Sequence, residues 1–278
     1  MRVLLTRRPA QAGGLEAGLR AMTGPDGAAF EVSFLPATDT ELPDDDGLAR
    51  LRGAVAALES GGYAVLVVTS PNGARALAAV GWEGVLPSGV RVAATGPGTV
   101  RVLREVGLRA EVWVPMADRS AAGILAGLPG PEAAGERLLL PQSARASETL
   151  GAGLARRGWE VDRVTAYRTV AYPGEPARRL LPEDPPGVRA VTPAELGDQP
   201  AGTALVLTSP SAVEELLGTG AADVLLSGAV PCVALGPPTR RAMEAVGVPV
   251  AAQAATPDAA GVAAALRTLG APGQRPSG

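Results

Sequence analysis

Leu205-Val206-Leu207-Thr208-Ser209-Pro210 repeats Leu66-Val67-Val68-Thr69-Ser70-Pro71 at a distance of 139 residues. In both copies a short apolar run ends in two hydroxyl residues and a proline, the mark of a buried strand that turns at once into a helix. A second pair lies downstream, where Val233-Ala234-Leu235-Gly236-Pro237-Pro238-Thr239 matches Ala93-Ala94-Thr95-Gly96-Pro97-Gly98-Thr99 at 140 residues. Each copy then continues as a helix that ends in Val-Gly, at Val106-Gly107 and Val246-Gly247. The opening strand at 3–6, helix over 11–22 and strand at 32–35 are echoed by Arg137-Leu138-Leu139-Leu140, a helix to Arg157 and a strand through Val164. A repeat of this length predicts two similar lobes. Uninterrupted apolar strands alternating with Ala/Leu/Arg helices predict α/β lobes, each a parallel sheet flanked by helices. Residues 172–200, rich in proline and charge, read as an irregular connection. Asp44-Asp45-Asp46 reads as a solvated turn, Thr256 as the N-cap of a last helix with Pro257 at its first position, and 271–278 as a disordered tail.

Composition removes whole classes of chemistry. The 278 residues, 46% apolar and 3% aromatic, suffice for two ordinary domains. The chain has no His and no Lys, so all 25 basic residues are Arg. Schiff bases, a pyridoxal-phosphate anchor and a Walker-type loop are out of reach without Lys. Ser/His/Asp and Cys/His nucleophile systems and imidazole metal ligands are out of reach without His. The single cysteine, Cys232, allows neither an internal disulfide nor a thiolate zinc site and reads as a small apolar filler of a strand. No metal and no cofactor are expected. A net charge of −3 offers no basic field to nucleic acid or anionic membrane. The apolar run at 64–68 is too short to span a bilayer, and Arg2 and Arg7 interrupt any signal peptide. The expectation is a cytoplasmic protein with neither nucleic acid nor membrane as partner.

The strand-to-helix junctions are the candidate binding elements. A helix start presents unpaired N–H groups and partial positive charge, and Ser or Thr adds a hydroxyl. In parallel sheets such junctions gather at the carboxyl ends of the strands. Two facing lobes would line a cleft with four of them and take a ligand carrying several carboxylates or phosphates. Singly, Ser70, Thr99, Ser209 and Thr239 also read as plain helix caps. Gly96-Pro97-Gly98 and Gly236-Pro237-Pro238 lack the third glycine of a dinucleotide fingerprint, so a Rossmann oxidoreductase is not expected. Tyr167, in Val164-Thr165-Ala166-Tyr167-Arg168-Thr169-Val170, can give a proton or hydrogen bond to a leaving oxygen, or can pack as an aromatic at a lobe junction. These residues fit an enzyme acting on a polyacid. They fit equally a non-catalytic two-lobed binding protein for an anionic small molecule.

Taken together, the segments resemble the uroporphyrinogen-III synthase family over nearly the whole chain, to about residue 269. The resemblance is carried by Thr69-Ser70-Pro71-Asn72-Gly73-Ala74, by 91–107, by 138–169 ending in Tyr167-Arg168-Thr169, by Thr208-Ser209-Pro210-Ser211-Ala212 and by 234–247. It implies that the chain crosses twice between lobes through a two-stranded linker, near 36–40 and 167–172. A discontinuous lobe of 1–37 and 172–270 and a central lobe of 38–171 follow. It implies hydroxymethylbilane, a linear tetrapyrrole with eight carboxylates, as substrate of a cofactor-independent, cyclising hydro-lyase of haem and cobalamin biosynthesis. Loss of the terminal hydroxyl gives an azafulvene, ring D is attacked at its substituted carbon, and the spiro intermediate fragments and recloses with ring D inverted. A monomer receiving the bilane by transient hand-over from the enzyme that makes it is implied as well. Tyr167 matches the family tyrosine proposed to assist loss of the hydroxyl, Thr99 and Thr239 its turn threonines, and Ser70 and Ser209 its cleft hydroxyls. Pro71, Asn72, Gly96, Gly98, Ser143, Arg145, Ser211, Gly236 and Pro238 complete the expected substrate-binding set. One departure stands out: many relatives carry Arg or Gly after Leu140-Pro141, whereas here Gln142-Ser143-Ala144 precede Arg145.

Overall fold

Apolar runs that end in a hydroxyl or glycine become strands, and the small-residue segments behind them become helices. The computed structural model describes residues 1–269, so the tail expected at 271–278 lies outside the described residues. The chain opens with β1 (Arg2–Leu5), α1 (Pro9–Arg20) and β2 (Glu31–Phe34), and leaves along β3 (Thr38–Glu41). Then come α2 (Asp45–Glu59), β4 (Val65–Val68), α3 (Pro71–Ala79), β5 (Arg91–Ala94), α4 (Pro97–Val106) and β6 (Val112–Trp113). These are followed by α5 (Ala121–Gly127), β7 (Arg137–Ser143), α6 (Thr149–Arg156) and β8 (Glu160–Ala171), which is hydrogen-bonded alongside β3. After an irregular stretch with two 3-10 turns, the chain closes with β9 (Thr203–Leu207), α7 (Pro210–Leu217), α8 (Ala222–Ser227), β10 (Cys232–Ala234), α9 (Pro237–Ala245), β11 (Ala252–Gln253) and α10 (Ala259–Thr268).

Two compact units result. The first comprises Met1–Asp39, Val170–Gly174 and the chain from Leu181 onward; the second comprises Thr40–Thr169 and Glu175–Leu180. The first unit's sheet has the order β11-β10-β9-β1-β2, with every neighbouring pair parallel. The second has the order β3-β8-β7-β4-β5-β6, parallel from β8 through β6. Because strand side chains alternate, each sheet buries both faces. In the second unit Leu66 and Val68 pack with α2, α3 and α4, while Val65 and Val67 pack with α5 and α6. In the first, Val3 and Leu5 face α1 and α10, and Leu4, Leu205 and Leu207 face α7 and α9. Gly107, at φ +114, takes the left-handed conformation that closes α4.

Several local expectations are corrected. Asp44-Asp45-Asp46 is no turn: Asp44 caps α2 by accepting from Gly47 N at 3.0 Å, and Asp45 and Asp46 occupy its first turn, where the helix dipole favours carboxylates. The last helix is capped by Asp258, which accepts from Gly261 N at 2.8 Å, and Thr256 instead donates to Asp258. The strand expected to end at Val164 runs on to Ala171.

One ion-pair network joins the places where the chain leaves and re-enters the first unit. Arg8 is wholly buried. Its guanidinium reaches Asp39 Oδ1 at 3.0 Å, Asp184 Oδ2 at 3.2 Å and the Pro182 carbonyl at 2.8 Å. Gly174 N donates to the other oxygen of Asp39 at 3.1 Å.

At the amino end of β4, Tyr63 donates its hydroxyl to Asp162 Oδ2 at 2.5 Å, and Arg137, itself paired with Asp162 at 3.1 Å, lies 4.6 Å from the ring centre. Burial first, and the Asp162 carboxylate second, push the Tyr63 phenol up to about 12. The folded chain therefore holds a proton that the unfolded chain releases near its ordinary pKa of about 10. The stabilisation is whole below about pH 10 and is lost as the pH rises towards about 12. Melting temperature followed across that window should fall less steeply for Tyr63→Phe than for the parent; superimposable alkaline limbs would refute this account.

Candidate functional site

The carboxyl edge of the second unit's sheet gathers the residues singled out from the sequence. Ser70, in extended conformation, ends the β4 segment and caps α3: its Oγ accepts from Gly73 N at 3.1 Å, with Pro71 at the first helical position. The same Oγ lies 3.0 Å from the Tyr167 hydroxyl. These two residues stand 97 positions apart in sequence. Tyr167 reaches Ser70 because β8 carries an irregularity opposite β7. Thr165 pairs with Gln142 but Tyr167, not Ala166, pairs with Ser143. One extra residue of this kind breaks the alternation of a strand and re-aims the side chain that follows. Ala166 and Tyr167 accordingly pack on one and the same hydrophobic cluster, Ala166 buried and Tyr167 half-buried.

Ser143 sits at the end of β7 beside Tyr167, and its Oγ accepts from Arg145 N at 3.2 Å. Ala144 N donates to the Tyr167 carbonyl at 2.9 Å, so this turn fixes the tyrosine backbone. The Arg145 side chain is exposed. Gln142 is buried and accepts from Arg163 Nε at 3.0 Å. That bond ties β7 to β8.

Thr99 does not cap its helix. Gly96 holds the N-cap position, and Thr99 lies at the third helical position, 3% exposed. Among the described residues its hydroxyl makes no hydrogen bond. Gly98 is exposed, and a Cβ added there would meet nothing within 4 Å, so internal packing does not require the glycine. A bare helix start of this kind lets a ligand approach the backbone closely.

The first unit repeats the arrangement. Ser209 caps α7, accepting from Ala212 N at 3.1 Å, and lies 3.0 Å from Ser211 Oγ. Gly236 holds the N-cap of α9, Pro238 lies exposed in its first turn, and Thr239 matches Thr99 in position and in its 3% exposure. Its hydroxyl too is without a hydrogen bond among the described residues. Thr6 and Thr208 tie the ends of β1 and β9 together, with 3.1 Å between hydroxyls and Thr208 N donating to Thr6 Oγ1 at 3.0 Å. No tyrosine stands in the equivalent place, so the two edges share their helix starts but not the Ser70–Tyr167 pair.

Sequence reasoning missed some neighbours. Arg168 reaches Glu41 and Asp44 at 3.6 and 3.7 Å. Arg7 and Arg75 are half-buried, and desolvation holds both below the usual arginine pKa. A cavity of about 400 Å³ opens at the second unit's edge, lined by Thr69, Thr95, Arg119, Ser120, Gln142 and Thr149. Cys232 is buried at the start of β10, and burial pushes its thiol up to about 12, far from a nucleophile's range. Among the described residues no His, Cys, Asp or Glu cluster is arranged for a metal ion, and no helix is long and apolar enough to cross a membrane.

The family model described as uroporphyrinogen-III synthase HemD matches residues 26–264. A chloroplastic uroporphyrinogen-III synthase from Oryza sativa subsp. japonica is 33% identical over 135 residues. That match spans 47% of this chain and 42% of the rice protein, less than half of either. A crystal structure of a mutant uroporphyrinogen III synthase from the extremely thermophilic bacterium Thermus thermophilus shares 21% identity at a TM-score of 0.57, covering 97% of this chain and 98% of that one. A uroporphyrinogen-III synthetase from Helicobacter pylori shares 12% identity at a TM-score of 0.55, covering 97% of this chain and 100% of that one. Both likenesses establish the fold.

Proposed function

The chain belongs to the uroporphyrinogen-III synthase family, and from that premise we propose that it dehydrates and cyclises hydroxymethylbilane to uroporphyrinogen III with ring D inverted. The observation that carries the reading is the Ser70–Tyr167 hydroxyl pair at 3.0 Å, set at the edge where helix starts collect. Ser70 Oγ already accepts from Gly73 N, so its own hydrogen can go to Tyr167 Oη and leave the phenol hydrogen for the substrate. The Tyr167 O–H then donates to the terminal hydroxyl of the bilane. The C–O bond breaks as the lone pair of the pyrrole nitrogen moves in, water departs with the phenol's proton, and the pyrrole N–H proton restores the phenol. The azafulvene so formed is the electrophile, and ring D attacks it through its substituted carbon.

The rest of the work is positioning. A free bilane can close without inversion, so the site must hold ring D in the attacking geometry. In the second unit the α3 and α4 starts, with Ser70, Asn72, Gly96, Gly98 and Thr99, supply N–H and hydroxyl donors for carboxylates; taken by itself, the first unit offers donors of the same kind at the α7 and α9 starts, with Ser209, Ser211, Gly236 and Thr239. Thr99 and Thr239 support this most directly: each is an almost buried residue whose hydroxyl makes no hydrogen bond among the described residues. The reaction belongs to the lyases and draws on hydroxyl and backbone groups alone, without a cofactor. We place the enzyme in the cytoplasm as a monomer that receives its unstable substrate by transient hand-over.

The test is an isomer assay in which hydroxymethylbilane is generated in situ, the products are oxidised, and uroporphyrins I and III are separated. Isomer III should predominate. Isomer I at the level seen without protein, from a sample shown to be folded, would overturn the proposal in favour of a non-catalytic binding protein.

A further inference from the structure

Arg8, which is wholly buried, is neutralised by carboxylates of its own unit. Arg8 has Asp39 and Asp184 within 3.2 Å. Arg75, in α3, receives no such treatment. Its side chain is half-buried, and among the described residues no carboxylate lies within 4.0 Å of it. Its one hydrogen bond runs from Nη1 to Asn72 Oδ1 at 2.9 Å. That bond turns the guanidinium back towards the first turn of α3, as helical side chains lean, and so towards the end that carries Ser70 and Tyr167. Glu105 attracts it from farther away but is engaged with Arg101 at 3.7 Å. Burial accordingly lowers the Arg75 pKa from its usual value, while an arginine so high on the scale keeps its charge.

A guanidinium drawn out of water without a counter-ion costs free energy. The chain has 28 carboxylates with which to remove that cost. Nor does the repeated architecture demand an arginine, because the equivalent position 139 residues on is Glu214, as Asn72 is matched by Ser211. The charge belongs to the unit that carries Tyr167 and not to the helix as such.

We propose that Arg75, oriented by Asn72, binds a carboxylate side chain of the substrate beside the Ser70–Tyr167 pair. This rests on the reading above that the substrate is a polycarboxylate tetrapyrrole, and it adds a half-buried side-chain cation to the backbone and hydroxyl donors of the α3 start. A fork of N–H donors matches a carboxylate and holds it in one orientation. Arg75 is thus a binding residue that fixes one pyrrole ring, while the proton transfer stays with Tyr167.

The experiment compares Arg75→Gln and Arg75→Lys with the parent chain. A charge-assisted hydrogen bond lost to Gln raises KM for hydroxymethylbilane about tenfold or more, with kcat within about threefold. Uroporphyrin III, an octacarboxylate that is not turned over, serves as a binding probe followed by fluorescence. Its Kd should rise by a similar factor in Arg75→Gln and depend less on salt, with Arg75→Lys between the two. Coproporphyrin III, with four carboxylates, should discriminate less between parent and variant. Melting curves check folding, and Arg75→Met, which keeps the apolar stem, replaces Gln should that variant unfold. Unchanged KM and Kd in a folded variant would overturn the proposal, as would a fall in kcat at constant KM. If the parent itself yields isomer I at background level, the functional reading has failed instead, and the two failures are told apart by the parent alone.

Discussion

Tyr167→Phe lowers kcat for hydroxymethylbilane by about a hundredfold, the scale of a single general acid, and isomer III remains the main product. Phe keeps the ring that packs on the cluster of Val68, Val164 and Ala166, so the variant folds and binds substrate with little change in KM. Only the hydroxyl, 3.0 Å from Ser70 Oγ, is lost. Activity persists because the helix starts still hold the bilane, and positioning supplies much of the rate advantage. Ser70→Ala is the companion measurement. It removes the cap of α3, which costs about 1 kcal/mol of stability, and it removes the hydroxyl that orients the phenol. A pre-steady-state assay of bilane consumption alongside the isomer ratio reads both. Parent-like kcat in Tyr167→Phe would reduce Tyr167 to a packing residue and leave dehydration to the substrate's own chemistry.

The largest effect on stability is expected at Asp39. Its carboxylate and the Arg8 guanidinium are both buried, at 3.0 Å from one another. Removing one partner strands a charge in the interior, which typically costs about 3–5 kcal/mol. Asp39→Ala also removes the acceptor of Gly174 N. For a chain of this size each kcal/mol moves the melting temperature by about 2–4 °C, so a fall on the order of 10 °C is expected. The double variant Arg8→Met/Asp39→Leu should recover a large part of that loss, because it removes both charges and fills their space. A melting temperature for Asp39→Ala within a degree or so of the parent would mean that Asp184, 3.2 Å from Arg8 Nε, suffices alone.

Strands and the helices behind them were legible because burial on both faces writes them as unbroken apolar runs, such as Val65–Val68 and Thr203–Leu207. The repeat made them legible twice. The first turn of α2 was not, since an acidic cap followed by acidic residues has the composition of a solvated turn and differs from it only in the amphipathic pattern that follows. The far end of β8 was obscured by charged and hydroxyl residues, Arg163, Thr165 and Arg168, that its partly covered surface tolerates. In the candidate site the positions of Ser70 and Ser209 as caps followed from local rules. The partnership of Ser70 with Tyr167 did not, because strict alternation puts Tyr167 on the face opposite Ala166, and a single unpaired residue in β8 reverses that. Arg8, Asp39 and Asp184 carry no mark of belonging together. Their separations of 31 and 176 residues are set by topology alone.

In the first unit's sheet β1 lies between β2 and β9. During synthesis β2 follows within about one helical connection, whereas β9 begins at Thr203. At a ribosomal pace of about 5–20 residues per second, β1 waits roughly 10–40 s for its second neighbour. In that interval β3 to β8 have all emerged, so the second unit can complete its sheet first. The nascent chain meanwhile carries the apolar edge of Arg2–Leu5 open to pairing with any other strand it meets. Which strand of the nascent chain stays longest in need of shielding is decided by the order in which the chain is made, and that strand is β1.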